Sequence, residues 1–456
     1  MPTLSPEILE KYEHRRIPRY TSYPTAPHFG PAVDAGTYRT WLGRVSAQAH
    51  LSVYLHVPYC AQMCWYCGCH TKITRRYDPI SRYVQSLERE IDTVASALPA
   101  GHAEARPVRH VHWGGGSPNM VAPDDFERLM AGIAAHFGLH EAAEVAVEID
   151  ARQFTDALAE AYGRAGVNRA SLGVQSFDPA VQRAINRVQP VETVATAVAR
   201  LRGIGVTGLN FDLLYGLPHQ TVANAVETTR QAIDLGPDRF AVFGYAHLPN
   251  FKKHQRLIDE AWLADGRGRF EQAEAIAETL VAAGYVPVGL DHFARPDDPM
   301  AVALAAGTLR RNFQGYTTDP ADALIGLGAS SIGALPQGYV QNAIDIGAWM
   351  KAVDSGALAV VKGLALDPDD RLRREVIERL MCDLRVDLEA VARAHGRAED
   401  FAEEKAALAD LADDGLVDLD GDVVRVPERA RAMVRTPAAC FDRYLGQSQA
   451  RHAKAV

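Results

Sequence analysis

Between about residue 50 and residue 245, apolar positions follow two alternating patterns. Short runs rich in aliphatic and aromatic residues, at 52–57, 108–113, 145–149, 169–174, 208–214 and 239–245, have the length and composition of buried strands. Between them, stretches at 80–95, 123–137, 157–165, 192–204 and 222–235 repeat apolar positions every three or four residues, as a helix with one buried face does. Regular alternation of this kind predicts parallel strands joined by helical crossovers. Six strands suit an open doubly wound sheet or an incomplete barrel. Polar or glycine-rich motifs follow nearly every strand: a cysteine loop, Gly114-Gly-Gly-Ser-Pro118, Glu148-Ile-Asp150, Gln175-Ser-Phe177, Asp212 with Tyr215-Gly-Leu-Pro218, and Tyr245-Ala-His247. In a barrel those ends share one mouth. The pattern therefore favours an α/β fold built on an incomplete (β/α)6 TIM-like barrel.

The flanking regions read differently. Residues 1–50 are rich in Pro, Tyr and Arg and carry no long periodic pattern, so they are expected to lie across the barrel as a covering segment. The barrel and its extension would occupy 51–365. In 366–456, helical patterns at 367–383 and 399–412 precede strand signals at 416–419 and 423–426, which predicts a small, mainly helical, winged-helix-like domain. That shape commonly binds nucleic acid, but no dense basic recognition helix is present.

Composition narrows the partners. The 456 residues are 47% hydrophobic and 23% charged, ordinary for a globular protein. No run of about 18 apolar residues and no basic-then-apolar leader occurs, so a cytoplasmic protein without membrane contact is expected. Lys and Arg total 48 against 57 Asp and Glu, and the net charge of -9 argues against a nucleic-acid binder. Two local basic stretches, His14-Arg-Arg-Ile-Pro-Arg19 and Lys72-Ile-Thr-Arg-Arg76, are either solvated faces or anion sites.

Of six cysteines, four fall in Cys60-Ala-Gln-Met-Cys64-Trp-Tyr-Cys67-Gly-Cys69, while Cys382 and Cys440 are distant. Crowding of this kind points to metal and not to a disulfide framework. Four thiolates can close a zinc site, but zinc motifs usually come as two separated pairs. The Cys-x3-Cys-x2-Cys spacing of Cys60, Cys64 and Cys67 lets one loop reach three corners of a [4Fe–4S] cluster and leaves one iron open to a small molecule. Cys69 is read as a non-ligand beside the site, and Cys382 as a buried apolar residue.

A Cys-x3-Cys-x2-Cys loop after the first strand, followed by the Gly114-Gly-Gly-Ser-Pro118 turn, resembles the radical S-adenosylmethionine superfamily. Successive glycines there would allow close backbone approach to a zwitterion. The resemblance extends to one family within it, the oxygen-independent coproporphyrinogen III oxidases. It is carried by Arg19-Tyr-Thr-Ser-Tyr-Pro-Thr25, the loop with its extra cysteine, His112-Trp-Gly-Gly-Gly116, Asn210-Phe-Asp-Leu-Leu-Tyr-Gly-Leu-Pro218, Tyr245-Ala-His-Leu-Pro249, Asp291-His-Phe-Ala-Arg-Pro-Asp-Asp298, Arg311-Asn-Phe-Gln-Gly-Tyr-Thr-Thr318 and Cys440-Phe-Asp-Arg-Tyr444.

The resemblance implies a [4Fe–4S] cluster on Cys60, Cys64 and Cys67, and two molecules of S-adenosylmethionine. Tyr54, Tyr66, Gly68, Gly115, Glu148, Gln175, Arg187, Asp212 and Ala246 match contacts to the first molecule. Gly116, Ser117 and Ile332 match contacts to the second. Ser117 stands where threonine is common, and Tyr66 where phenylalanine is often found. The implied reaction is oxidative decarboxylation of two propionates of coproporphyrinogen III, with a flavodoxin- or ferredoxin-like electron donor, a separate electron acceptor and a monomeric protein. Four propionates need cations, and Arg15, Arg16 and Arg19 are expected to bind them. A haem-binding chaperone, or a radical enzyme acting on haem, stays open as an alternative.

Overall fold

The computed structural model describes residues 5–398 and 401–446. All six expected strands form: β1 (Leu51–Val57), β2 (Val108–Gly115), β3 (Leu139–Ile149), β4 (Arg169–Gln175), β5 (Gly208–Tyr215) and β6 (Arg239–Gly244). Each pairs in parallel with the next. The crossovers are helices Asp78–Ala95, Pro123–Phe137, Asp156–Arg164, Val191–Gly203 and Val222–Asp234. Their starts are set locally. Thr155 accepts from Leu158 N, and Thr221 with Asn224 forms a capping box. Helix Asp78–Ala95 buries Ile80, Tyr83, Val84, Leu87, Ile91 and Val94, the spacing of one helical face.

The sheet is larger than the alternation predicts. Beyond β6 come β7 (Val286–Val288) and β8 (His292–Ala294). On the other side of β1 lie β9 (Ala323–Leu327), β10 (Ile332–Leu335), β11 (Gly338–Asn342) and β12 (Val360–Ala365). The order across twelve strands is β12-β11-β10-β9-β1-β2-β3-β4-β5-β6-β8-β7. Strand β9 pairs in parallel with β1 and makes a seventh parallel strand, whereas the outer strands are antiparallel. All five residues of β9 are buried. A five-residue apolar run with no crossover helix beside it is a weak sequence signal, and it was not among the expected strands.

The N-terminal residues divide between two cores. Tyr12, Ile17, Tyr20 and Tyr23 pack with Leu372, Val376, Leu380 and other C-terminal residues. Val33, Tyr38, Trp41 and Leu42 join the main core instead. Lys11 pairs with Asp414 at 2.5 Å and Tyr20 donates to Asp442 at 3.0 Å. The C-terminal part contains helices Pro368–Asp383, Leu388–Ala394 and Ala402–Asp413, and a three-stranded antiparallel sheet of Arg385–Asp387, Val423–Arg425 and Asp418–Asp420. The expected helix over 399–412 is found from Ala402, while 399–400 lie outside the described residues. Among the described residues no helix is long and apolar enough to cross a membrane.

One buried acid locks β9 to the first crossover helix. Glu90 is 2% exposed and accepts from Gly328 N at 2.6 Å, Asn342 Nδ2 at 2.7 Å and Trp349 Nε1 at 3.1 Å. Burial drives its carboxyl up to about 7, against the three donors that favour its charge. An ordinary glutamate titrates near 4.5. Between those values the native state holds a proton that the unfolded chain has released, so stability falls as the pH rises through that window and is level above it. The decline should amount to about 3 kcal/mol. Glu90→Gln, which carries no charge at either pH, should lack it when thermal unfolding is compared at pH 5 and pH 7.5.

Candidate active site at the rim of the sheet

The C-terminal ends of β1 to β6 bring together the residues that the sequence singles out. Tyr54 on β1 stands opposite His112 on β2, their rings 5.8 Å apart, and its hydroxyl lies 3.0 Å from His56 Nδ1. His56 is 8% exposed, and burial lowers its pKa to about 4, so it is a neutral core residue at neutral pH. Glu148 at the end of β3 accepts from Gly115 N at 3.1 Å and from His112 Nε2 at 3.3 Å. Burial opposes its charge, but His112 and the Gly115 N–H outweigh that and hold the carboxyl below its usual value.

Gly115 has φ of +112°, and a Cβ there would lie 2.5 Å from the His56 ring. Only glycine turns the chain so that this N–H meets Glu148. Gly116 N bonds Val57 O and Ser117 N bonds Tyr59 O, both at 2.8 Å, which lays the turn against the start of the cysteine loop. Asp212 on β5 accepts from Asn210 Nδ2 at 2.8 Å and from Ser171 Oγ at 3.3 Å. Burial first, and the neighbouring Glu148 charge second, push it up to about 7. Gln175, with φ of +67°, ends β4. Ile332, on β10, is two strands from β1, and its carbonyl approaches Gly326, the partner of Tyr54 in β9.

The cysteine loop is pinned from two sides. Trp65 N donates to Ile185 O at 2.9 Å, and Asn186 Nδ2 donates to Met63 O at 2.8 Å. From the other side His254 Nε2 lies 2.7 Å from Cys67 O, and Lys252 Nζ donates to Cys69 O at 2.9 Å. Gln255, 1% exposed, donates to Tyr66 O at 2.9 Å and Ala246 O at 3.2 Å and accepts from Leu248 N at 2.5 Å. Residues 252–255 were not singled out by sequence. Only their polar character in an otherwise irregular stretch could have marked them.

Each expected ligand sulfur has its own donor. Ser117 Oγ lies 3.6 Å from Cys60 Sγ, Arg152 Nη2 and Arg187 Nη1 each lie 3.6 Å from Cys64 Sγ, and Cys69 N lies 3.4 Å from Cys67 Sγ. The Cys67 thiol is brought down to about 6, by the Cys69 hydrogen bond first and by His254 and Lys252 as well. Burial raises Cys60 to about 11, partly offset by Ser117. The arginines are themselves fixed by Asp150, which is 2.6 Å from Arg152 and 3.5 Å from Arg187. Burial pushes Asp150 up, yet Arg187 and Arg152 prevail and hold it at about 2. Arg187 Nε is buried with no partner among the described residues.

This donor set suits an iron–sulfur cluster, whose thiolates are stabilised by hydrogen bonds to sulfur. Among the described residues no three His, Cys, Asp or Glu side chains stand close enough to share one metal ion. A cluster does not need that, because each thiolate takes its own iron.

The structure separates the expected arginine trio in space. Arg16 and Arg19 line a cavity of about 530 Å³ beside the rim, together with Tyr215, Ala246 and Arg435. Arg15 is not in its wall and lies over the Tyr12 ring at 4.4 Å. Arg269, which sequence did not single out, lines the same wall as Arg16 and Arg19.

The radical SAM superfamily profile matches residues 54–232, and the HemN C-terminal domain profile matches 366–433. The chain is 54% identical over 452 residues to oxygen-independent coproporphyrinogen III oxidase of Bradyrhizobium diazoefficiens, covering 99% of each chain. It is 44% identical to the Paracoccus denitrificans oxidase, covering 94% of each. The structure of coproporphyrinogen III oxidase (HemN) from Escherichia coli, a radical SAM enzyme, superposes with a TM-score of 0.89 at 37% identity, covering 93% of this chain and 97% of that one. With a cysteine loop, glycine turn and rim of the kind described, and with relatives matched over nearly their whole length, the chain belongs to the oxygen-independent coproporphyrinogen III oxidase family of the radical SAM superfamily.

Proposed function

We propose that this protein converts two propionate side chains of coproporphyrinogen III into vinyl groups, forming protoporphyrinogen IX. The observation that carries this reading is the loop in which three cysteines each meet a hydrogen-bond donor, opening onto a rim lined by Glu148, Arg187 and Asp212. Cys60, Cys64 and Cys67 would hold a [4Fe–4S] cluster. With S-adenosylmethionine bound, that cluster supplies a 5′-deoxyadenosyl radical able to take a hydrogen atom from a propionate β-carbon, after which CO2 and one electron leave.

The chain's own residues hold the reactants. The Glu148 carboxylate, kept ionised by His112 and Gly115 N–H, suits the methionine ammonium group. Arg187 suits its carboxylate. Asp212, poised near neutrality, can both donate to and accept from ribose hydroxyls. Tyr54, Tyr66, Gly68, Gly115, Gln175 and Ala246 would complete the first S-adenosylmethionine site, and Gly116, Ser117 and Ile332 a second beside it. Two radical abstractions require two adenosyl groups, which is the use we assign to the pair.

We read the sheet as an incomplete barrel. Its cover is formed by residues 1–50, the barrel and its extension by 51–365, and a winged-helix-like cap by 366–456. The protein would act as a monomer fed by a flavodoxin- or ferredoxin-like donor and drained by a separate acceptor.

Under anaerobic conditions with a reductant, the wild-type protein should form protoporphyrinogen and two molecules of 5′-deoxyadenosine per product. Stoichiometric haem binding without turnover would instead identify a haem chaperone. Cys60→Ser, Cys64→Ser and Cys67→Ser should each lose most cluster iron and all turnover, whereas Cys69→Ser should keep its iron. Retained iron and activity in Cys67→Ser would sink the three-ligand assignment. Gln255→Leu leaves the carbonyls of Tyr66 and Ala246 without their donor, and it should weaken S-adenosylmethionine about tenfold, roughly 1.4 kcal/mol, at unchanged iron content. Equilibrium binding to the reconstituted protein checks this.

A further inference from the structure

The cavity beside the rim holds more positive charge than the surrounding protein neutralises. It opens between the ends of β5 and β6, the N-terminal segment, and residues 428–435. Phe243, Phe270 and Phe293 give it aromatic wall. Three of its acids are engaged elsewhere or disfavoured, and the fourth, Asp291, bonds His292 while its charge also reaches Arg19 and Arg435. Asp265 caps a helix through Gly268 N at 2.8 Å, Glu428 is held by Arg431 at 2.6 Å, and Asp291 bonds His292 at 2.8 Å. Glu274 is pushed toward its neutral form by burial and by Glu278.

Two of its arginines meet no such acid. Arg19 Nη2 donates to Gly244 O at 3.1 Å, and Arg269 Nη1 donates to Tyr245 O at 2.8 Å, with its guanidinium 5.7 Å from the Tyr215 ring centre. Neither has a carboxylate within ion-pair distance among the described residues. They meet at the same residue: Arg19 bonds the Gly244 carbonyl, and a Cβ on Gly244 would lie 3.0 Å from Arg269 Nη2. Burial, Tyr215 and then the charge of Arg19 act on Arg269, with a net fall in its proton affinity, and burial and Arg19 likewise bring Arg435 down to about 10. Like charges gathered in a partly desolvated pocket raise the free energy of the empty protein, and an anion between them relieves it.

We propose that Arg19 and Arg269 form a clamp that binds a propionate of the porphyrinogen substrate at the end of β6. This rests on the proposed function and deepens it. Guanidinium forks match a carboxylate with two parallel hydrogen bonds, which a single ammonium cannot do. The aromatic wall suits the flat pyrrole rings that carry that carboxylate. The clamp positions substrate and takes no part in radical chemistry. Its place beside Ala246 sets a retained or waiting propionate against the rim while another meets the reactive centre.

The test uses the full-length, cluster-loaded protein and two air-stable probes, coproporphyrin III and the same macrocycle with its four propionates converted to amides. Binding is followed by quenching of porphyrin fluorescence. Arg19→Gln and Arg269→Gln should each weaken coproporphyrin III at least tenfold and leave the tetraamide within twofold of wild type. Arg269→Lys, which keeps charge without the fork, should fall between. Arg19 is exposed, so Arg19→Gln gives a reading even where the Arg269→Gln protein does not fold. Unchanged coproporphyrin III binding in both variants, or equal weakening of both probes, overturns the clamp. A wild-type protein that binds neither probe overturns the functional reading itself, which separates the two failures.

Discussion

Strands paired in parallel, each returning through a helix on one face, must all finish at the same rim, and the site depends on that requirement. Glu148 on β3 and Asp212 on β5 are 64 residues apart in sequence, yet Asp212 senses the charge of Glu148 because both strands end together. Antiparallel pairing would send alternate strand ends to opposite edges. The glycine turn after β2 adds the backbone N–H that keeps Glu148 ionised, so sheet topology and one permissive residue together set the charge at the rim.

Around the cysteine loop, the governing problem is electrostatic. Three cysteine sulfurs and a buried aspartate lie together, and as cluster ligands the sulfurs would make a dense negative group. Arg152 and Arg187 answer it by touching Asp150 and Cys64 together. In each arginine the terminal nitrogen that meets the acid also faces the sulfur. Asp150, held ionised at about 2, is a positioning residue for that pair, and it sits two positions past Glu148 on the same strand end. One strand terminus therefore contributes a carboxylate to the rim and a counter-ion to the loop.

Much of the fold was legible because parallel strands buried on both faces read as apolar runs, and their crossover helices show the three-to-four spacing. The expected helix at 123–137 matches the observed bounds, and 80–95 differs only at its first turn. Strand β9 was not legible, since five buried residues without a neighbouring helix carry no period. In the site, the cysteines and glycines announced themselves by spacing. Gln255 and His254 did not, because their role is to bond backbone carbonyls, a task that leaves no pattern in sequence. Arg269 sits on the helix Gly266–Ala282, which was not among the expected elements, and only the convergence of three distant segments reveals it as part of a cavity wall. Arg15 shows the converse: grouped with Arg16 and Arg19 by sequence, it was turned away by one step of the backbone onto Tyr12.

Tyr12, Ile17, Tyr20 and Tyr23 share a core with residues beyond Leu372, and Tyr20 bonds a partner 422 positions later. Contacts that distant form last as a chain leaves the ribosome. The seven parallel strands are complete by Leu327, so the sheet and its cysteine loop can assemble while the final core still lacks most of its members. Until the last helices emerge, the early tyrosines lack most of their apolar partners, and the wall built from Arg16, Arg19 and residues 428–435 cannot close. The order of synthesis thus leaves that side of the rim without its wall until residues 428–435 have emerged.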